Sequence, residues 1–556
     1  MARRKKPDTL INVPNINNSL VQPDQEGINT SRYMRYAKAI PAGTMSYDSI
    51  VGKRRHHTLS IEGELVIAGE TESGIMSFRA TPTFGVADGS ADNILMTLGR
   101  EIFKKIDSLQ SGYTTSYAPV DIIYHLMAVE QMYLYQAYLR KVYTSLDVNL
   151  TPFNAYRGPA LAAAMGINYA DVKQHRLELE RYIDDFADQI TKYRLPAGFD
   201  ILNDHISTFC NIFADDANSE TCQLYLVNPA AFWFWVDDSE TGSQLRRVPF
   251  VGRGESNYDY DPKRLYTSPD DALDLEVTLY DVELTFNDLV DYGNKMLESF
   301  IYDGSNDEMQ SKIMRAFRDQ QFYTPSYVTR DMELNFVVDP VFMDAIEHLD
   351  LSKIITASEE TLDEDEHTAY AYASYAQDSF MNPYTAMYIH PIGRAFQPVE
   401  GHVVNSETPD VSIENNYNKT MFMTVSEMGD VIGKNRIKTC RSVIIEAMTI
   451  FYVSRYNAGG SSRNPLTYLR HHDWICSQTI LPNEEYWRYM PLIFDSTSFT
   501  SAPRFKLLSI KGPNKTELLY MGPMENTCVL SDSQLQDMNN AALWSLMVAN
   551  FGMSNN

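Results

Sequence analysis

Residues 119–146 read PVDIIYHLMAVEQMYLYQAYLRKVYTSL, and this stretch decides the fold of the chain. Pro119 suits the first turn of a helix, where a missing backbone N–H costs nothing. The apolar and aromatic side chains that follow surround almost the whole helix and are Ile122, Ile123, Leu126, Met127, Val129, Met132, Tyr133, Leu134, Tyr135, Tyr138, Leu139 and Val142. A helix that is apolar on most faces is buried among other elements. We therefore expect a long helix at the centre of a helical core.

Shorter amphipathic stretches flank this central helix on both sides. Residues 92–110 place apolar side chains three or four positions apart, which is the spacing of one helical stripe. Residues 168–193, 198–214 and 284–302 also have helical patterns. Residues 59–84 alternate loosely instead and indicate strands or extended segments. The region around the central helix is therefore expected to be mainly helical.

The character of the chain changes after about residue 355. An acidic run occupies residues 359–366. The strand-like segments that follow it lie around 385–405, 419–425, 443–454, 479–495 and 504–520. The stretch near 533–551 again carries a helical apolar stripe. Because helices dominate one region and strands the next, the overall class is expected to be α+β.

These shifts predict four parts along the chain. Residues 1–55 form a basic, flexible N-terminal arm, because they lack periodicity and are rich in Asn, Pro and Gln. Residues 56–355 form a largely helical domain, and residues 356–532 form a β-rich domain. Residues 533–556 hold a C-terminal helix that returns to the helical domain.

Positive charge is concentrated in the arm of an otherwise acidic chain. Residues 1–60 contain ten basic and four acidic side chains, although the net charge of all 556 residues is -26. The densest basic run is Arg3, Arg4, Lys5 and Lys6, and Arg54 and Arg55 form a second pair. Adjacent cations on a flexible segment suit contact with nucleic-acid phosphates, whereas an acidic body repels them. We expect the first run, and secondarily Arg54 and Arg55, to contact nucleic acid.

The sequence offers little chemistry of the kind an enzyme needs. The five cysteines lack CxxC spacing, which argues against a zinc module and a disulfide framework. No apolar stretch is long enough for a membrane helix. His471, His472 and Asp473 are the only local His/Asp cluster, and no phosphate loop or nucleophile elbow accompanies them. We therefore expect no catalytic residue, no metal and no cofactor.

Four segments, in matching order and spacing across residues 74–170, together resemble the capsid proteins of picobirnaviruses, and one of them is the alanine/asparagine-led helix predicted at Ala91–Leu109. Residues 74–85, GIMSFRATPTFG, resemble a G-I-M…P-T-x-G segment of that family. Residues 117–128, YAPVDIIYHLMA, resemble its Y-x-A-P-D-L-M-x-Y-L-L-A-M segment, with Val120 inserted between proline and aspartate. Residues 161–169, LAAAMGINY, resemble its A-M-G-I-D turn, with Asn168 in place of the aspartate.

The resemblance implies a coat protein with the fold of a double-stranded RNA virus capsid. Such proteins dimerise and assemble into an icosahedral T=1 shell of sixty dimers around a double-stranded RNA genome. The helical domain would then be the shell domain and the β-rich domain a projecting domain. The arm would face the particle interior, and in some relatives it is cleaved by the protein itself. The protein would reside in the virion, and in the host cytoplasm during assembly, and could meet the host cell surface or membrane at entry.

Two other readings remain open at this point. A hydrolase would have to bring His471, His472 and Asp473 to one pocket together with a nucleophile. A surface-binding protein that does not assemble would use the aromatic stretch Phe232–Trp235 as a ligand platform. Particle mass separates the readings, because only the coat protein forms assemblies of megadalton size.

Overall fold

The structure is a computed structural model. It describes residues 40–41, 57–61, 64–68, 74–84, 94–108, 117–146, 157–215, 223–238, 242–250, 283–329, 332, 336–349, 355–358, 390–391, 402–405, 418–424, 442–454, 468–475, 507–511, 516–520, 527–530 and 532–548. The predicted RNA-contacting residues Arg3, Arg4, Lys5 and Lys6, and the pair Arg54 and Arg55, lie outside these ranges. Their predicted roles stay predictions.

Helices occupy most of the described residues between 94 and 347. They are α1 (Ile94–Ser108), α2 (Pro119–Ser145), α3 (Arg157–Ala164), α4 (Tyr169–Gln174), α5 (Arg176–Ile190), α6 (Ile201–Cys210), α7 (Phe286–Ile301), α8 (Gly304–Ala316) and α9 (Pro340–Glu347). Near the end of the chain, α10 (Asp532–Leu543) continues into a π-helical turn, Trp544–Val548. None of the helices within the described ranges is long and apolar enough to cross a membrane.

Strands precede, interrupt and follow these helices. They are β1 (Ile40–Pro41), β2 (His57–Ile61), β3 (Glu64–Ala68), β4 (Ile75–Pro82), β5 (Ile212–Ala214), β6 (Leu224–Pro229), β7 (Ala231–Asp238), β8 (Gly242–Pro249), β9 (Phe336–Val338), β10 (Ile355–Ser358), β11 (His390–Pro391), β12 (His402–Asn405), β13 (Met423–Thr424), β14 (Val443–Ser454), β15 (Tyr468–Ile475), β16 (Leu507–Lys511), β17 (Thr516–Tyr520) and β18 (Thr527–Leu530). The chain therefore mixes helices and strands, which is compatible with the expected α+β class.

The central helix is α2, as the sequence predicts. Its side chains are buried without a break from Val129 to Ser145. It packs against α1, α5, α6 and α7 and against the hairpin β7–β8. Pro119 begins the helix, and the Asp121 carboxylate accepts a hydrogen bond of 2.7 Å from the backbone N–H of Ala118. A helix surrounded on all sides explains why the apolar pattern of this stretch has no polar face.

One large sheet lies beside this helical core. Its strand order is β1-β9-β5-β6-β4-β14-β13, and β15 pairs with β14 on the same edge as β13. All eight residues of β4 are buried, which fits a strand covered on both faces. On one side β4 runs parallel to β6, and on the other it runs antiparallel to β14. A second sheet, β10-β16-β17-β11, and the pairs β12–β18 and β2–β3 lie outside it.

Strand β14 joins parts of the chain that lie far apart in sequence. It spans 443–454, as its pattern predicts, but its partner β4 comes from residues 75–82. The two strands thus lie on opposite sides of the predicted domain border at 355/356. The domain borders stay predictions, and the division of the chain in sequence is not a clean division in space.

One predicted helix ends earlier than its sequence pattern indicates. Residues 198–214 were expected to be one helix, which is wrong at its end: α6 stops at Cys210, and Ile212–Ala214 form β5. These three residues pair with β6 and β9, and sheet pairing therefore prevails over helix continuation.

The π-helical turn packs on the helical core, where the Leu546 carbonyl accepts a hydrogen bond of 2.9 Å from the Asp200 N–H.

Candidate functional site

Two of the resemblance segments, 74–85 and 161–169, meet in one buried polar cluster with the later part of α2, the helix in which the segment 117–128 lies. Ser77 on β4 donates to the Ala164 carbonyl at the end of α3 at 2.6 Å. Asn228 on β6 donates to both of these oxygens at 2.9 Å. Tyr138 on α2 donates to the Met165 carbonyl at 3.0 Å. We call Ser77, Arg79, Tyr138, Lys141 and Asn228, with the turn Ala164–Ile167, the motif cluster.

The turn in this cluster follows from its sequence. Gly166 has a positive φ of 73°, a conformation that glycine adopts without strain. The Gly166 N–H donates to the Ala163 carbonyl, and the Ile167 N–H to the Ala162 carbonyl, both at 2.8 Å. This pair of bonds is the Schellman ending of a helix, in which the glycine occupies the left-handed position. The A-M-G-I pattern therefore encodes a helix stop that faces the central sheet.

Gly166 is also needed for space, which makes it a test of the cluster. A Cβ atom at this position would overlap Nη2 of the buried Arg79 side chain. Gly166→Ala is expected to lower the free energy of unfolding by about 1–2 kcal/mol from backbone strain alone, with more from displacing Arg79. The measurement is the apparent melting temperature by differential scanning fluorimetry.

A matched control for this change is Gly304→Ala. A Cβ at Gly304, the first residue of α8, would meet no atom within 4 Å. This variant is expected to melt as the parent protein does. Equal melting temperatures for both variants would show that the turn at Gly166 tolerates a side chain.

Lys141 is one of the two buried basic residues of the motif cluster, and Arg79 is the other. Its Nζ donates to the Phe209 carbonyl at 2.9 Å, to Asn228 Oδ1 at 3.1 Å and to the Val227 carbonyl at 3.4 Å. These acceptors are uncharged, and no carboxylate is among them. Burial, assisted by the nearby charge of Arg79, lowers the pKa of Lys141 to about 7. The lysine thus ties α2 to the end of α6 and to β6 chiefly as a hydrogen-bond donor.

This lysine makes the stability depend on pH in a defined direction. An unfolded lysine has a pKa of 10.5, so between pH 7 and 10.5 the unfolded chain binds more protons than the folded one. The contribution of Lys141 to stability therefore rises as the pH rises through this window. Lys141→Met is expected to remove this rise and to lower stability at pH 9–10 by about 1–3 kcal/mol, since three acceptors lose their donor.

The measurement is chemical denaturation at several pH values between 6 and 10. Lys192→Met is the control, because the Lys192 side chain is about half exposed. The control should retain the parent's pH dependence. If Lys141→Met also retains it, Lys141 is not the titrating group.

The motif cluster lacks the arrangement of a catalytic centre. The Ser77 hydroxyl is committed to a backbone carbonyl, and burial raises the pKa of the nearby Cys210 thiol to about 12, far from a reactive thiolate. Within the described ranges no three His, Cys, Asp or Glu side chains are grouped to hold a metal. His471, His472 and Asp473 lie in β15, paired with β14. The cluster is thus suited to fastening a helix end, a central helix and a sheet to one another.

The aromatic stretch is not a ligand platform, which corrects the surface-binding reading. Phe232, Phe234 and Trp235 are buried on β7. The Phe232 ring packs edge-on against Tyr135 of α2, with 5.5 Å between ring centres. Trp235 Nε1 donates to Asp303 Oδ2 at 2.7 Å. These rings are needed to seat the hairpin β7–β8 on the helical core.

A second group of polar residues, which sequence reasoning missed, holds the start of β14. The Glu446 carboxylate accepts from the Thr81 hydroxyl at 2.5 Å and forms an ion pair with Arg247 of β8. Glu446 is buried, and the Arg247 side chain is only slightly exposed. The outward-inward alternation of a strand gives no signal for such a pair, because the partners are remote in sequence.

Comparisons with known proteins match this fold. Residues 33–362 match the family model described as the capsid protein of picobirnavirus. A capsid protein precursor of human picobirnavirus (strain Human/Thailand/Hy005102/-) is 24% identical over 181 residues, which cover 33% of this chain. The alignment spans 32% of that relative, about a third of its length. The fold is similar to the crystal structure of the picobirnavirus capsid, with a TM-score of 0.62 and 16% sequence identity. The match covers 92% of this chain and 97% of the chain in the crystal structure.

Proposed function

Because this chain belongs to the picobirnavirus capsid protein family, we propose that it dimerises and assembles into an icosahedral T=1 shell around a double-stranded RNA genome. The observation that carries the proposal is the extent of the fold match, which includes 92% of this chain. The family model and the fold match agree on a capsid protein. The function proposed is therefore structural.

In this proposal residues 56–355 form the shell domain, and residues 356–532 form the projecting domain that faces the host cell surface or membrane at entry. The C-terminal helix within 533–556 packs back on the shell. The pairing of β14 with β4 supports a close connection, because the chain returns to the shell sheet from within the projecting part. The protein would reside in the virion and, during assembly, in the host cytoplasm.

The test of assembly is particle formation by the purified, full-length protein. Light scattering and negative-stain electron microscopy are expected to show closed particles of uniform diameter and megadalton mass. A protein that stays monomeric or dimeric over a range of salt and pH would refute the shell. Mass spectrometry of the same particles would report any cleavage of the N-terminal arm, which in this proposal the protein performs on itself.

The proposed partner of the arm is the RNA genome, bound without sequence preference. Arg3, Arg4, Lys5 and Lys6 would neutralise up to four phosphates, with Arg54 and Arg55 adding to them. Four contacts give a log–log slope of binding on salt of roughly -3 to -4. Reading of bases would need side chains fixed on a rigid element.

Deletion of residues 1–8, with a new initiating methionine, is expected to leave particles intact but to reduce their RNA content. The measurement is the ratio of absorbance at RNA and protein wavelengths in purified particles. Deletion of residues 9–16, an uncharged stretch of equal length, is the matched control and should leave the ratio unchanged. An equal ratio in both variants would mean that the basic run does not bind the genome.

A further inference from the structure

His205 lies at the meeting point of three elements. It is a fully buried residue of α6. Its Nδ1 lies 2.5 Å from Glu130 Oε1 on α2, and its Nε2 lies 3.1 Å from the carbonyl of Ser442, the residue before β14. Both neighbours are acceptors. A neutral imidazole carries one N–H and can serve one of them, whereas an imidazolium donates to both.

The Glu130 carboxylate is buried and depends on this partner. Its second oxygen accepts from Gln131 Nε2 at 2.6 Å, and Gln131 Oε1 accepts in turn from the Trp233 N–H at 3.3 Å. These bonds hold the carboxylate in place but bring no charge. His205 forms the ion pair with Glu130, and neither side chain is exposed to solvent. A buried carboxylate without a cation is costly, so the pair favours a charged imidazole.

The groups around His205 also favour its charged form. Burial of the ring opposes its charge, but the ion pair and hydrogen bond with Glu130, the neighbouring Asp204 and the Ser442 carbonyl outweigh burial. The pKa of His205 is therefore raised above its usual 6.5. Next to the start of β14 the ring meets the Ser442 carbonyl oxygen, and on its own helix it meets the Phe209 ring edge-on.

The carbonyl that His205 binds marks the point where β14 enters the central sheet. The Ser442 oxygen also accepts the Thr83 N–H at 2.7 Å, just beyond the end of β4. His205 and Ser442 are 237 positions apart in sequence. The imidazole therefore connects the helical core to a strand from the last quarter of the chain.

We infer that His205 is a proton-dependent clamp. Its imidazolium form donates to both Glu130 and the Ser442 carbonyl and so fastens the start of β14 to α2 and α6. Its neutral form can donate to only one of these two acceptors and releases the other. Release loosens the corner at Ser442 and thereby makes opening of the adjoining β14–β4 pairing more frequent. Because the folded pKa is raised, the stabilisation is complete below pH 6.5 and is lost as the pH rises through the folded pKa. This inference goes beyond assembly and holds for the single chain.

Two measurements on the full-length protein test the clamp. Hydrogen–deuterium exchange at the imidazole C2 position, followed by mass spectrometry, gives the pKa of each histidine. His205 is expected to titrate above 6.5, and His125, whose buried ring has a lowered pKa, below it. Backbone amide exchange over residues 443–451, corrected for intrinsic rates, reports the attachment of β14 between pH 6 and 9.

In the parent protein, protection of these amides is expected to fall as the pH rises from 6.5 to the folded pKa of His205. The fall is up to about tenfold per pH unit, since one proton is released. His205→Gln keeps a donor but carries no charge, so its protection should be lower than the parent's at pH 6 and should not fall as the pH rises. His175→Gln is the control, because His175 is partly exposed and pairs with Asp171. The control should retain the parent's slope.

The inference is overturned if His205 titrates below 6.5, or if His205→Gln retains the parent's pH dependence. Should the glutamine variant fail to fold, the C2 exchange of the parent protein still decides the matter. Comparison with the variant also separates this effect from that of Lys141, which acts on stability in the opposite direction over an overlapping range of pH.

Discussion

Leu126→Asp is expected to abolish soluble protein and particles. Leu126 lies in the central helix α2 and is only 1% exposed. An aspartate there would be charged, buried and without a cation, or would take up a proton at a similar cost in free energy. An unpaired buried charge costs about 3–5 kcal/mol, which is a large part of the stability of a typical domain. The measurement is the yield of soluble and assembled protein after expression.

The matched control is Leu177→Asp on the neighbouring helix α5. The Leu177 side chain is 57% exposed, so the same substitution leaves the new charge in water. Its yield should equal that of the parent protein. Intact particles from Leu126→Asp at the parent's yield would contradict the placement of α2 at the centre of the core.

Arg247→Met is expected to be the second most damaging substitution, with a loss of about 3–5 kcal/mol. It leaves the buried Glu446 carboxylate on β14 without its cation, and only the Thr81 hydroxyl among its described partners remains. The variant should melt earlier than the parent, and the amides of β14 should exchange faster. Thermal melting and hydrogen exchange measure the two effects.

The double variant Arg247→Met/Glu446→Met tests the cause. If the loss comes from an uncompensated carboxylate, removal of that carboxylate should restore most of the stability, because an apolar pair of similar size replaces the ion pair well. The coupling between the two substitutions is read from the double-mutant cycle. A double variant as unstable as the sum of the single ones would assign the loss to packing instead.

Local patterns predicted most of the helical core. The continuous apolar sequence of α2 indicates burial on all sides, and the three- and four-residue spacing of residues 92–110 and 284–302 indicates α1 and α7. These signals are local, because each helix makes its hydrogen bonds within itself. The bounds of β14, at 443–454, also follow from its own residues.

The pairing of strands and the buried polar contacts could not be predicted in the same way. The partner of β14 is set by contacts across the whole chain, and its sequence fits any apolar strand. Ile212–Ala214 are equally compatible with a helix and a strand, and only the neighbouring strands decide. Lys141 looks like a solvated position within a helix, because nothing local shows that Phe209 and Asn228 supply its acceptors.

The position of β14 in the sheet also determines the order of events during protein synthesis. Thr81 on β4 and its contact Glu446 are separated by 365 positions. At about 5–20 residues per second, the ribosome needs roughly 20–70 s to make the intervening chain. During that time β4 has no partner on one edge, and an unpaired edge invites pairing with other chains. A chain that stops before residue 443 never completes the sheet, so the fold itself distinguishes finished coat subunits from truncated ones.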